Sequence, residues 1–220
     1  MQDTFKYRVS QVLAGDYRQD DIVPVCQTPE LVRSVGFSDG TIVMTQKHIR
    51  NCLAPEDRTA KEHRHDLPID FIDNLPSYIE SPAMILSSMT QHDSIVLVSD
   101  CKDKKERPII IALKNAGKGT IGGKVISCNV VTSTYGKDEF TNFLRSSLQS
   151  NGLLYWNEKK SRDLVVSAGL QLPGFLANHD SNVIIRRYDE NVNPYHKKFC
   201  ILLHKIYQSA TRGVYIRQLM

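Results

Sequence analysis

Apolar positions change their period along the chain. Up to about residue 80 they recur at helical spacing, and from Met84 they gather in β-branched runs divided by polar turns. Thr4 to Leu13 places Phe5, Val9, Val12 and Leu13 on one helical face. Thr28-Pro29-Glu30 is a helix start, and that helix runs to about Val35. Thr41 to Met44 reads as a strand, after which Thr45 caps a helix to about Leu53. Asn51 to Asp66 is polar and reads as an exposed loop or a helix edge. Ile69, Ile72, Leu75 and Ile79 return to helical spacing, with Pro76 breaking the run.

Four strands are expected next: Met84–Ser88, Ser94–Ser99, Pro108–Lys114 and Lys124–Tyr135. The charged stretch Cys101 to Arg107 reads as the turn of a hairpin. Lys137 to Gln149 is an amphipathic helix stopped by Asn151-Gly152. Leu153–Glu158 is a fifth strand, and Ser161 caps a short helix ending near Gly169. Beyond Pro173 the chain is loop-like, then basic and amphipathic from Lys197 to Tyr207. Helices followed by strands indicate an α+β fold around a four- to five-stranded, mostly antiparallel sheet with packed helices.

Composition narrows the class. The 220 residues are 41% hydrophobic, enough for a real core. No apolar run approaches a bilayer crossing and no leader pattern opens the chain, so a soluble, cytoplasmic protein without membrane association is expected. The five cysteines stand singly, without a C-x-x-C pair, which excludes a zinc ribbon and indicates reduced thiols. The net charge of +4 permits nucleic-acid contact without demanding it.

Several motifs bear on chemistry. Gly117 to Gly122 matches G-x-G-x-x-G, but a strand follows it, so a flexible hairpin loop is the better reading than a dinucleotide site. His63 and His65 flank Arg64. No third ligand lies nearby in sequence, so no metal or other cofactor is expected, and a histidine acting as general acid or base competes with a merely solvated one. The run Asn129 to Lys137 is the most informative. Strict alternation would put Asn129, Val131, Ser133 and Tyr135 on one strand face, followed by Lys137, a surface able to hold a phosphate. An ordinary solvent-facing sheet surface is the plain alternative. Lys159, Lys160 and Arg162 close the fifth strand as a solvated turn or a phosphate-backbone contact.

These segments occur in an order that resembles one family. They include Met44-Thr45-Gln46-Lys47-His48, His65-Asp66-Leu67-Pro68, Glu80-Ser81-Pro82, Ile95 to Val98, Pro108 to Leu113, Val130 to Lys137 and Asn151 to Tyr155. Gly169 to Pro173 and Asn191 to Tyr195 complete the set. The order resembles the C-terminal domain of phage MuF-type head-morphogenesis and polyvalent proteins, over about Phe37 to Phe199. That family is similar to the barnase, EndoU, colicin-nuclease and RelE group.

The resemblance implies a metal-independent nuclease domain, often a toxin or effector, with RNA as target and a cognate immunity or antitoxin protein as partner. It places His65 on the family's histidine before the L-P helix. Ser133, Tyr135 and Lys137 fall on its S-x-Y-G-K strand end, and His48 on its K-H pair. The expected division is an N-terminal helical extension (1–36), a nuclease-like domain (37–176) and a C-terminal loop with a basic tail (177–220). In a metal-independent endoribonuclease, His65 would act as acid or base with Tyr135 as its partner. Lys137 and Ser133 would stabilise the phosphate, and Lys47, His48, Asn129, Lys159 and Lys160 would bind phosphate or RNA. The alternative is a non-catalytic phage-associated protein-interaction module.

Overall fold

The structure is a computed structural model that describes residues 4–17, 22–57 and 63–169, together with the backbone of 183–184. The amphipathic stretch at Lys197–Tyr207, the segment 177–182 and 185–220, and Cys200 lie outside the described residues. The described elements run α1 (Phe5–Ala14), β1 (Ile22–Gln27), α2 (Glu30–Ser34), β2 (Thr41–Thr45), α3 (Gln46–Leu53), α4 (Ile69–Asp73) and α5 (Leu75–Glu80). They continue as β3 (Met84–Ser87), β4 (Ser94–Lys102), β5 (Pro108–Ile121), β6 (Lys124–Gly136), α6 (Phe140–Gln149), β7 (Leu153–Trp156), α7 (Glu158–Ser167) and the two-residue β8 (Val183–Ile184).

The class is α+β, with more strands than the pattern suggests. All eight lie in one sheet of order β1-β2-β6-β5-β4-β3-β7-β8. Every described pairing is antiparallel except β2 with β6, which is parallel. Strand β1 escapes the sequence pattern because Pro24 interrupts it. As the outermost strand it tolerates a residue that donates no ladder hydrogen bond, and a bulge falls between Pro24 and Cys26.

Among the described residues two large cores flank the sheet, beside a small cluster of Ile22, Val43 and Cys128. One packs Phe5, Val9 and Val12 of α1, Val32, Ile49, Phe71, Ile72, Leu75 and Ile79 against Ile85, Leu97, Ile109, Ile111 and Leu113. The other packs Phe140 and Leu144 of α6, with Leu164 and Val165 of α7, against Met84, Leu86, Val96, Val98, Ile110 and Trp156. The segment before residue 37 therefore contributes a core helix and the edge strand. No described helix is long and apolar enough to cross a membrane.

Local chemistry fixes the boundaries. Thr45 caps α3 by accepting the His48 N–H at 3.1 Å. Helix α7 begins earlier than the pattern predicts, because Asn157 caps it through the Lys160 N–H at 3.1 Å. Ser161 is not a cap: it is buried inside the helix and donates to the Ala83 carbonyl at 2.6 Å. Lys159, Lys160 and Arg162 accordingly stand on a helix rather than in a turn that closes a strand. The glycine-rich stretch forms strand as far as Ile121. The turn itself is Gly122-Gly123, both with positive φ, as a two-residue hairpin turn demands.

The alternation predicted along β6 fails at one place. Ala112 pairs with Ser133 but Leu113 pairs with Val131, so Thr132 is an extra residue, a β-bulge. Val131 and Thr134 consequently pair with Leu113 and Ile111 of the α1–α5 core, while Tyr135 pairs with Ile110 of the α6–α7 core. Asn129 does not share a face with Ser133 and Tyr135. It is buried, its Nδ2 donates to Thr28 Oγ1 and the Ser38 carbonyl at 2.8 Å each, and its Oδ1 accepts the Ala116 N–H at 3.1 Å. These bonds tie the connection from β1 to α2, the loop before β2 and β5 to β6, which gives Asn129 a structural role.

Asn129→Ala should therefore lower stability by about 1–3 kcal/mol, because the Ser38 carbonyl and the Ala116 N–H lose their partner and the buried Thr28 hydroxyl keeps only its bond to the Gly40 carbonyl. Urea unfolding measures this, with an unchanged m-value expected.

Candidate functional site

Strand β2 pairs with β6 only at Ile42–Asn129 and Val43–Val130, then turns into α3. Helix α3 lies along the edge of β6 that β2 leaves. Unpaired edge carbonyls need donors, and α3 supplies two. His48 Nδ1 is 3.3 Å from the Val131 carbonyl, and Cys52 Sγ donates to the Thr134 carbonyl at 3.5 Å. A carbonyl can only accept, so Nδ1 of His48 carries the proton and Nε2 keeps its lone pair. Burial pushes the His48 pKa down to about 4, the Val131 bond opposes this, and the nearby His65 adds to the lowering.

The chain then doubles back over the end of α3. The N–H groups of His65, Asp66 and Leu67 donate to the carbonyls of Asn51, Ala54 and Cys52 at 3.1, 3.0 and 2.8 Å, satisfying the helix end. This fixes His65. Its ring stacks on Tyr135, with centroids 5.4 Å apart and planes at 28°. Lys137 Nζ lies 5.9 Å from the centre of the Tyr135 ring and 5.1 Å from that of Phe143, a cation–π placement. Burial, and then the His63 charge, lowers the pKa of His65. Burial, and then Asp138, raises that of Tyr135 and keeps the phenol protonated. A neutral imidazole thus stacks on a protonated phenol, beside an ammonium.

The turn from β4 to β5, read in the sequence only as a charged hairpin turn, holds this strand end in place. Asp103 is buried, and its Oδ1 accepts the N–H groups of Lys105 and Arg107 at 2.9 Å each. Its Oδ2 accepts Arg107 Nε at 2.6 Å. Burial raises the Asp103 pKa, but Arg107 and the two amides outweigh it and hold the carboxyl below its usual range. The same carboxylate presses on Gly136, where an added Cβ would overlap Asp103 Oδ2. The Lys137 N–H donates to the Pro108 carbonyl at 2.9 Å. Three ion pairs bind the turn to the loop that carries His65: Lys104 with Asp66 at 2.7 Å, Lys105 with Glu56, and Arg107 with Glu56 at 3.6 Å.

The candidate residues thus divide. His48, His65, Tyr135 and Lys137 come together, although they are separated by as much as 89 positions in sequence. Ser133 is half-buried on the same strand face as Tyr135. Lys47 is exposed on α3, next to His48 in sequence. Lys159 and Lys160 stand on α7, where Lys160 donates to the Ser81 carbonyl at 2.5 Å and pairs with Asp100 at 3.7 Å, with β5 and β4 between them and β6. Among the described residues, no three His, Cys, Asp or Glu side chains are arranged to hold a metal ion.

A family model for the phage MuF C-terminal domain matches residues 56–163. The matched span contains His65, Arg107, Tyr135 and Lys137, and leaves His48 outside. No curated protein and no solved structure matches the chain.

Two measurements test this arrangement. Gly136→Ala should cost on the order of 3 kcal/mol, because it forces the buried carboxylate off Arg107; chemical denaturation reads the loss directly. Below about pH 6.5 the unfolded chain takes up a proton that folded His48 refuses. Stability is therefore complete above that pH and drains as pH falls toward 4, by at most about 3 kcal/mol from His48. His48→Asn keeps a donor for the Val131 carbonyl but cannot titrate. Its unfolding free energy should vary less with pH across that window.

Proposed function

We propose, from the premise that residues 56–163 are a phage MuF C-terminal domain, that this chain is a metal-independent endoribonuclease of toxin or effector type. Kinship with the barnase, EndoU, colicin-nuclease and RelE group is part of the proposal. The observation that carries it is the stacked His65–Tyr135 pair with the Lys137 ammonium over the phenol ring. Cleavage of RNA without a metal needs a base for the 2′-hydroxyl, an acid for the departing 5′-oxygen and positive charge at the phosphate. His65, held neutral by burial, is the base. Tyr135, held protonated, is the acid. Lys137 balances the charge that grows on the phosphate oxygens.

In this mechanism His65 takes the 2′-hydroxyl proton and O2′ bonds to phosphorus. The P–O5′ bond breaks, and Tyr135 donates its proton to O5′. The products are a 2′,3′-cyclic phosphate and a 5′-hydroxyl. His48, near enough to feel the charge of His65, is itself held neutral by burial, and Ser133 offers a hydroxyl along the strand. Lys47 would extend the cationic surface toward the RNA backbone.

The test is cleavage of a labelled single-stranded RNA by the purified chain, with product ends identified by mass. His65→Ala and Tyr135→Phe should each slow cleavage on the order of 10²-fold or more. Lys137→Ala should slow it and flatten its salt dependence. Excess chelator should leave the rate unchanged, and the 2′-deoxy substrate should remain intact. Wild-type rates in all three variants, or no cleavage by the parent chain, would reject the enzyme and leave the interaction module as the reading.

A further inference from the structure

Arg107 divides its guanidinium between two environments. Nε and Nη2 are spent on Asp103, whose side chain is 2% exposed. Nη1 turns the other way, 3.0 Å from Asp138 Oδ1 and 3.6 Å from Glu56 Oε1. Asp138 is the odd partner. Its side chain is 74% exposed, on the short connection between β6 and α6. Solvent screens such a pair, so it adds little to stability. The inner half of the guanidinium already anchors the turn without it.

Its position is nonetheless specific. Asp138 follows Lys137 directly, and its charge acts on Tyr135. The charge of Arg107 reaches His65. A planar guanidinium with an outward N–H suits a phosphate oxygen better than any other side-chain cation does.

From this geometry we infer that Nη1 of Arg107 is a phosphodiester-binding group of the site, and that the Asp138 carboxylate occupies it as a built-in competitor in the free protein. The inference deepens the nuclease reading by adding a phosphate subsite to the same site. An incoming phosphodiester displaces the exposed carboxylate from Nη1. Asp103 keeps Nε and Nη2, so the guanidinium stays aimed. The exchange replaces a weak internal ion pair with an external one and sets a threshold that weakly held anions do not cross.

The test uses the full chain and a 2′-deoxy oligonucleotide, which binds but offers no 2′-hydroxyl to attack. Fluorescence anisotropy should show Asp138→Asn tightening binding about 3- to 10-fold. Glu139→Gln makes the same charge change one residue away without touching Arg107, and should tighten it less than about 2-fold. In an Arg107→Lys background Asp138→Asn should add nothing. If that background fails to fold, the side-chain NMR signals of Arg107 in the unmutated chain serve instead, and they should shift as oligonucleotide is added. Equal effects of Asp138→Asn and Glu139→Gln, no binding at all, or unmoved Arg107 signals at saturation would overturn the inference. Binding of this kind without RNA cleavage would keep the subsite and reject the nuclease. Cleavage with no special effect of Asp138→Asn would do the reverse.

Discussion

A carboxylate taken out of water must find donors for both of its oxygens, and the buried Asp103 finds them all within four residues. Two backbone N–H groups serve one oxygen and Arg107 the other. An unpaired buried carboxylate costs several kcal/mol, so the turn holds one shape. That shape dictates much of what surrounds it. The carboxylate demands a glycine at position 136, which fixes the end of β6 and the directions of Tyr135 and Lys137. The cations of the turn then reach across to Glu56 and Asp66, on the loop that presents His65. The two halves of the candidate site, remote in sequence, are registered against each other through this one buried charge.

The second organising feature is the free edge of β6. A parallel partner that pairs at two positions and departs leaves carbonyls that no strand satisfies. Helix α3 covers them with a histidine and a cysteine, both poor at carrying charge when buried, as the lowered His48 and the raised Cys52 thiol show. The groups that face β6 from the helix are therefore held neutral, while the Lys137 ammonium and the exposed Asp138 carboxylate stand on the solvent side of the strand end. Polar chemistry acts more strongly against such a low-dielectric wall than in open water.

The sheet strands β3 to β7 were legible because each carries its own apolar run and turn chemistry, both local signals. Strand β1 was not, since its proline reads as a break and its place at the edge is decided by the rest of the sheet. The bulge at Thr132 leaves no mark in a β-branched run, and strict alternation put Asn129 beside Tyr135 when it lies across the sheet from it. The site was legible in part. His65, Tyr135 and Lys137 stood out as residue types in a recurring order, whereas Arg107 and Asp103 looked like any charged turn. Their importance comes from burial and from contacts spanning 31 residues or more, to Asp138 and Glu56. A single sequence does not display such contacts.

The parallel pairing of β2 with β6 has a temporal side. Ile42 and Val43 are completely buried, yet their strand partners Asn129 and Val130 come 87 residues later in the chain. During synthesis the β1–β2 hairpin waits, with apolar residues uncovered, until β6 has emerged. Closing so long a loop is entropically costly and kinetically slow. The antiparallel meander of β3 to β6 has no such wait, because each strand follows its neighbour. The two histidines of the site straddle this divide, His48 on the late-docking side and His65 in the loop that joins it to the meander. A newly made chain therefore holds the parts of the site apart until this long-range pairing closes.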